Sequence, residues 1–128
     1  MENRQIIVTE PDASRLQSLV RRQDEAGHDQ EHVEELSVEL ERALVVAPER
    51  MPADVVTMNS RVRVLDLTTG ARQEFELVYP ADANVSAHRV SVLAPLGIAL
   101  LGYRAGDELE WRMPGGLRRI RLESVVAA

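Results

Sequence analysis

The chain has 128 residues, a formal charge of −6 at pH 7 and 45% hydrophobic residues, which suffices for one domain with a real core, or one domain with an appendage. It has no cysteine, which excludes disulfides, thiolate metal sites and a cysteine nucleophile. Residues 1–52 carry six Arg against twelve carboxylates and 53–128 carry nine of each, a balance that disfavours wrapping a phosphate backbone.

The opening stretch MENRQIIVTEPD turns polar at once and does not resemble a signal peptide, so a cytoplasmic protein is the simplest expectation. Thr9 is a good N-cap for a first helix. Glu10 and Asp12 in its first turn suit the helix dipole, and Asp12 is spaced to close a capping box. Ala13, Leu16, Leu19 and Val20 then keep helical spacing. Gly27 breaks the pattern. Val33, Leu36, Leu40, Ala43 and Leu44 mark a second stripe whose intervals make a short heptad seam. Each predicted helix runs for about 15 residues, so roughly 22 Å at 1.5 Å per residue. A short turn between two amphipathic helices gives an antiparallel hairpin over 1–50. Pro48 and Pro52 end it in the linker APERMPAD.

From Val55 the texture changes to short alternating runs. RVRVLD (61–66) places Val62 and Val64 on one face, TTG (68–70) is a turn, and RQEFELVYP (72–80) brings Phe75, Leu77 and Tyr79 together. HRVSVLAP reads as a short strand. SVLAPLGIALLG, twelve residues with no charge, finishes that strand and begins a short helix at Pro95, where a missing N–H costs nothing. Leu96, Ala99 and Leu100 share a helical face, and Gly102 suits the C-cap. ELEWRM (108–113), the PGG turn (114–116) and LRRIRLESVV form a closing hairpin. Strands at short spacing with one helical interruption predict an antiparallel sheet carrying a helix, an α+β domain over 53–128.

Chemistry-bearing constellations are sparse. The hairpin tip carries Asp24, Glu25, Asp29 and Glu31, which read first as solvated helix-end charges. His28 and His32 stand at i, i+4, a metal-binding interval, but no third ligand lies at useful spacing, so no metal is expected. Ser91 has no evident His–Asp partners, which leaves a hydrolase triad without support. PGG is a turn and not a phosphate loop, since no G-K-[ST] follows. Arg118, Arg119 and Arg121 make a small basic cluster on the last strand, with Arg119 and Arg121 on a shared face. No catalytic residue and no cofactor is expected from these patterns.

The order of motifs carries a resemblance. VSVLAPLGIALLGYRAGDELEWRMPGG is similar to the C-terminal domain of the bacterial Gre transcript-cleavage factors, with their I-S-x-x-S-P-x-A-x-A-L-x-G-x-x-x-G-D motif followed by a strand and a P-x-G turn. The likeness extends upstream through EFELVYP and MNSRVRVLD. Taken whole, with its short N-terminal hairpin, the chain more closely resembles the Rnk family, named for regulation of nucleoside diphosphate kinase. The resemblance implies a short antiparallel two-helix coiled coil joined to an FKBP-like antiparallel sheet domain with one short helix. It also implies a non-catalytic regulator that binds RNA polymerase at the secondary-channel rim and competes with the cleavage factors, without membrane or sequence-specific nucleic-acid binding. By the same token Ser91, Ala94, Pro95, Leu96 and Gly97 become a candidate docking edge, and Asp24, Glu25, Asp29 and Glu31 a candidate channel contact. Two departures bear on the chemistry. The D-L-S-E-N-A-E-Y-like tip segment that helps the cleavage factors hold Mg²⁺ is replaced by QDEAGHDQEH, on a shorter hairpin. LAPL stands where the family often has Ser before Pro, which removes a hydroxyl cap. A prolyl isomerase, suggested by the FKBP-like domain, lacks the aromatic lining it needs, with 3% aromatics in the chain. A general interaction module acting more directly on the kinase is the other alternative.

Overall fold

A computed structural model describes residues 5–26, 30–113 and 116–126, with side chains described throughout except at 24–26, 30–32, 95 and 111–113. Strand β1 (Ile7–Thr9) leads into helix α1 (Glu10–Ala26), and helix α2 (Gln30–Glu41) leads into strand β2 (Leu44–Val46). β1 and β2 pair in parallel, Ile7 opposite Leu44 and Thr9 opposite Val46, which brings the start of α1 beside the end of α2. Ala13, Leu16 and Leu19 are buried on α1, as are Val33, Leu36 and Leu40 on α2, so both expected stripes face inward. The second stripe is shorter than its spacing suggested. α2 ends at Glu41, and Leu44 lies in β2 at 47% exposure. The heptad interval continued by coincidence into a strand that the alternation rule, applied to three residues, does not detect.

The second half is a five-stranded sheet in the order β5-β4-β3-β7-β6, built from β3 (Arg61–Asp66), β4 (Arg72–Val78), β5 (Arg89–Ser91), β6 (Glu108–Met113) and β7 (Gly116–Val126). Helix α3 (Pro95–Leu100) separates β5 from β6. The expected antiparallel sheet is corrected here. β3–β4, β3–β7 and β6–β7 are antiparallel, but β4 and β5 are parallel, so the sheet is mixed. The connection over 79–88 carries the chain back to the level of Glu76, in the second half of β4, through two short 3₁₀ turns, Pro80–Asp82 and Val85–Ala87, before β5 begins. A parallel pair requires such a crossover, whereas a two-residue turn would have given an antiparallel one. A bulge between Arg63 and Val64 lets β7 carry one extra residue, Glu123.

Buried residues of both halves form one cluster: Ile6, Val8 and the helix stripes join Val62, Leu77, Val92, Leu96, Leu100 and Leu122. The contact is close at Gly102, whose positive φ of 87° follows the end of α3 and where any Cβ would collide with Ile6. The outer face of the sheet is a lattice of ion pairs. Register places Arg63 opposite Glu74 and Arg121 opposite Glu108. Arg63 reaches Glu74 at 2.6 Å, Arg72 reaches Glu123 at 3.0 Å, and Arg119 and Arg121 share Glu108 at 3.2 and 2.9 Å. The basic cluster of the last strand is therefore neutralised. Arg118, on the other face, pairs with Asp66 at 2.7 Å.

Candidate functional site

The segment expected to dock lies where β5 turns into α3. Ser91 closes β5 half-buried, and its Oγ accepts the Leu93 N–H at 3.0 Å. Its carbonyl accepts from Ala94 N–H at 3.0 Å. Ala94 is the extended residue before the helix, and Pro95 occupies the first helical position as expected. The Pro95 side chain lies outside the described residues. Leu96 is 5% exposed and Gly97 is buried against the Ser91 backbone, so of the five candidate positions Ser91 and Ala94 are the partly accessible ones. The segment is chiefly core, with one open edge at the element boundary. Backbone places Asp24 and Glu25 in the last turn of α1 and Glu31 in the first turn of α2, at the ends of the helices away from β1 and β2. Their side chains, and Asp29 altogether, lie outside the described residues.

Sequence reasoning missed the junction between α1 and the sheet. Thr9 Oγ1 does accept the Asp12 N–H, at 3.3 Å, as an N-cap should. The Asp12 carboxylate, however, does not turn back on its own helix. It accepts the Thr57 hydroxyl at 3.0 Å and the Tyr79 hydroxyl at 3.3 Å. Burial, followed by the neighbouring Asp12 charge, pushes the Tyr79 phenol up to about 12. Arg15, one turn along α1, lies over the Tyr79 ring with its guanidinium carbon 4.1 Å from the centroid, a stacked cation–π geometry. The signal that could have found this contact is the tyrosine itself, an amphipathic ring in a chain nearly without aromatics.

Two clefts flank the helices. On the α2 side one of about 460 Å³ is lined by Glu35, Glu39, Ile98, Tyr103, Glu108, Glu110 and Arg119 among others. On the α1 side one of about 570 Å³ lies between Ser14, Arg15, Ser18, Arg22 and the Tyr79–Ala81 turn. A third, about 310 Å³, sits beside Phe75 and His88. The first two carry one aromatic ring each, Tyr103 and Tyr79, and the third carries Phe75 and the His88 imidazole, with ring centroids 6.0 Å apart. His88 Nδ1 contacts the Glu74 carbonyl at 3.1 Å. Among the described residues no group of three His, Asp or Glu could hold a metal, and no helix is long and apolar enough to cross a membrane.

Residues 51–126 match the family described as transcription elongation factor GreA/GreB, C-terminal, and residues 4–46 match the Rnk N-terminus. Across 88% of the chain and 81% of its own length, the regulator of nucleoside diphosphate kinase of Escherichia coli K12 is 45% identical. A transcription elongation factor GreA of Thermodesulfovibrio yellowstonii is 34% identical over 64% of the chain, which spans 52% of that longer protein. Among solved structures, the prokaryotic transcription elongation factor GreA/GreB from Nitrosomonas europaea superposes with a TM-score of 0.84 at 41% identity, over 95% of this chain and 99% of that one. The helical pair and mixed sheet are thus those of a transcription-factor-like regulator, and the relatives are named as regulators and transcription factors. The chain belongs to the Rnk family, related to the Gre factors.

Proposed function

We propose that this protein is a non-catalytic regulator that binds RNA polymerase. The sheet half, 53–128, docks at the secondary-channel rim through the β5–α3 edge, and the helical half, 1–50, stands in the channel mouth as a short coiled coil. By occupying that mouth it competes with Gre-type cleavage factors. The observation that supports this most is the continuous match of 51–126 to the Gre C-terminal family. α1 has 17 residues, which at 1.5 Å per residue is about 25 Å. The outer sheet face, where Arg63, Arg72, Arg119 and Arg121 are already paired with carboxylates, argues against a phosphate-backbone ligand.

The name of the Escherichia coli relative, regulator of nucleoside diphosphate kinase, supports a second reading, direct action on that kinase. Immobilised protein challenged with purified polymerase core and with purified kinase separates the two. Retention of polymerase is expected. Retention of kinase alone would replace this reading with the second. Pro95→Ala refines the docking edge: the fold should lose about 0.5–1 kcal/mol through the unfolded chain, while a central contact should lose over 2 kcal/mol of binding, about 30-fold. Unchanged affinity in folded Pro95→Ala protein returns the segment to plain core.

A further inference from the structure

The cleft beside α1 carries two arginines in its lining, Arg15 and Arg22. Eight arginines hold a carboxylate within 4 Å among the described residues, most of them on the sheet. Five exposed arginines, Arg15, Arg21, Arg22, Arg50 and Arg61, hold none there; of these Arg15 and Arg22 line one cleft together, although α1 belongs to the half of the chain that carries the whole negative charge. Asp12, the nearest acid on their helix, has its two oxygens engaged by Tyr79 and Thr57. The two cations are seven residues apart on one helix face, about 10 Å along the axis. Ser18 lies between them and Ser14 just before Arg15, small side chains that line the cleft together with Pro80 and Ala81 across from them. Arg15 is already oriented, because its guanidinium rests on a ring that Asp12 fixes. A planar guanidinium held in this way gives up less freedom on pairing with a carboxylate than a free one. On the α2 side the facing cleft has the opposite character, with four glutamates and one arginine in its lining, and Glu39 Oε1 buried without a partner among the described residues.

We propose that the groove between α1 and the Tyr79–Ala81 turn seats an acidic segment of the protein partner, whose carboxylates pair with Arg15 and Arg22. This rests on the reading that the partner is RNA polymerase, and it adds to it an orientation. With Arg15 and Arg22 lining the α1 cleft and four glutamates lining the α2 cleft, the helical half enters a channel with walls of opposite charge in one rotational setting, since like charges facing each other oppose docking.

The test is equilibrium binding of the full-length protein to polymerase core over a range of salt. Three variants are compared: Arg15→Gln/Arg22→Gln, the charge-matched control Arg21→Gln/Arg50→Gln, which alters two exposed arginines outside the groove, and Arg22→Gln alone, which removes no ion pair among the described residues and so reports on binding even where loss of Arg15 lowers stability. The groove double variant is expected to bind about tenfold or more weakly, with a flatter salt dependence, and Arg22→Gln to go part of the way. The control should stay within about threefold. Equal losses in the groove variant and the control, or undiminished affinity in the groove variant while unmodified protein binds, overturn the inference and leave the polymerase reading standing. Loss of affinity for single-stranded RNA rather than for polymerase overturns it in favour of a nucleic-acid occupant. Failure of unmodified protein to bind polymerase overturns the reading and the inference together.

Discussion

Replacing Gly97 by alanine sets two effects of known sign against each other. Gly97 lies inside α3, and a glycine-to-alanine change within a helix ordinarily stabilises by about 1 kcal/mol. Here the added Cβ would sit well inside 3.0 Å of the Ser91 carbonyl oxygen, and near the Ser91 carbon and the Val92 Cα. All three are backbone atoms, so no side chain can swing away. The Ser91 carbonyl is also held in place, since it accepts the Ala94 N–H, and the neighbouring Val92 N–H donates to Val78 on β4 at 2.9 Å. Relief needs α3 to lift from β5, which disturbs Leu96 and Leu100 in the core. Overpacking of this kind costs about 3 kcal/mol at the upper end of its usual range. The net expectation is a loss of about 2 kcal/mol, which in a chain of this size lowers Tm by about 6–10 °C. Thermal unfolding followed by far-ultraviolet dichroism, with denaturant titration as a second measure, reads both. A Gly97→Ala protein as stable as the parent, or more so, would refute the argument that α3 is pinned by backbone contact with β5, and with it the placement of the candidate docking edge.

Other expectations follow from the junction and the core. Tyr79 is neutral in the fold with its phenol at about 12, against about 10 in an unfolded chain, so its contribution is complete below pH 10 and is lost as pH rises through 12. Alkaline unfolding of the parent should therefore show about 2 kcal/mol of pH-dependent loss in that window, absent in Tyr79→Phe; an identical profile in the variant removes Tyr79 as its source. At neutral pH Tyr79→Phe should cost about 1 kcal/mol, because Asp12 keeps its Thr57 partner. Leu36→Ala, at a position with no exposure, should cost about 2–4 kcal/mol and lower helix and sheet protection in hydrogen exchange together, since both halves share one cluster. A hairpin that opens alone while the sheet keeps its protection would instead support independent units at 1–50 and 53–128.

What the sequence made legible, and what it hid, follows from the range of the interactions involved. β3 is bounded as its alternation indicates, with Val62 and Val64 buried between exposed Arg61 and Arg63, because one-sided burial imposes a period of two on neighbouring residues. Pro95 opens α3 and Gly102 follows it at positive φ for reasons equally local. β1 and β2 were hidden because three residues hold no period, and because Leu44 extended a helical interval beyond the true end of α2. The parallel pairing of β5 was hidden because it depends on how residues 79–88 cross, not on anything within β5. Among site residues, the basic cluster at 118–121 was visible as composition, but its neutralisation by Glu108 and Asp66 needed strand register. The pairing of Asp12 with Tyr79, 67 positions away, left no local trace.

The central claim, occupation of the polymerase channel mouth without catalysis, is tested most directly on backtracked elongation complexes. A Gre cleavage factor is held at a half-saturating concentration, this protein is titrated in, and the release of short 3′ RNA fragments is followed. The account expects release to fall with increasing protein to the intrinsic rate of polymerase alone, and no release above that rate when this protein is the only factor present. Stimulated release by the protein alone, lost on substitution of Asp24 and Glu25, would contradict the non-catalytic reading, and undiminished release at saturating protein would contradict occupation of the channel.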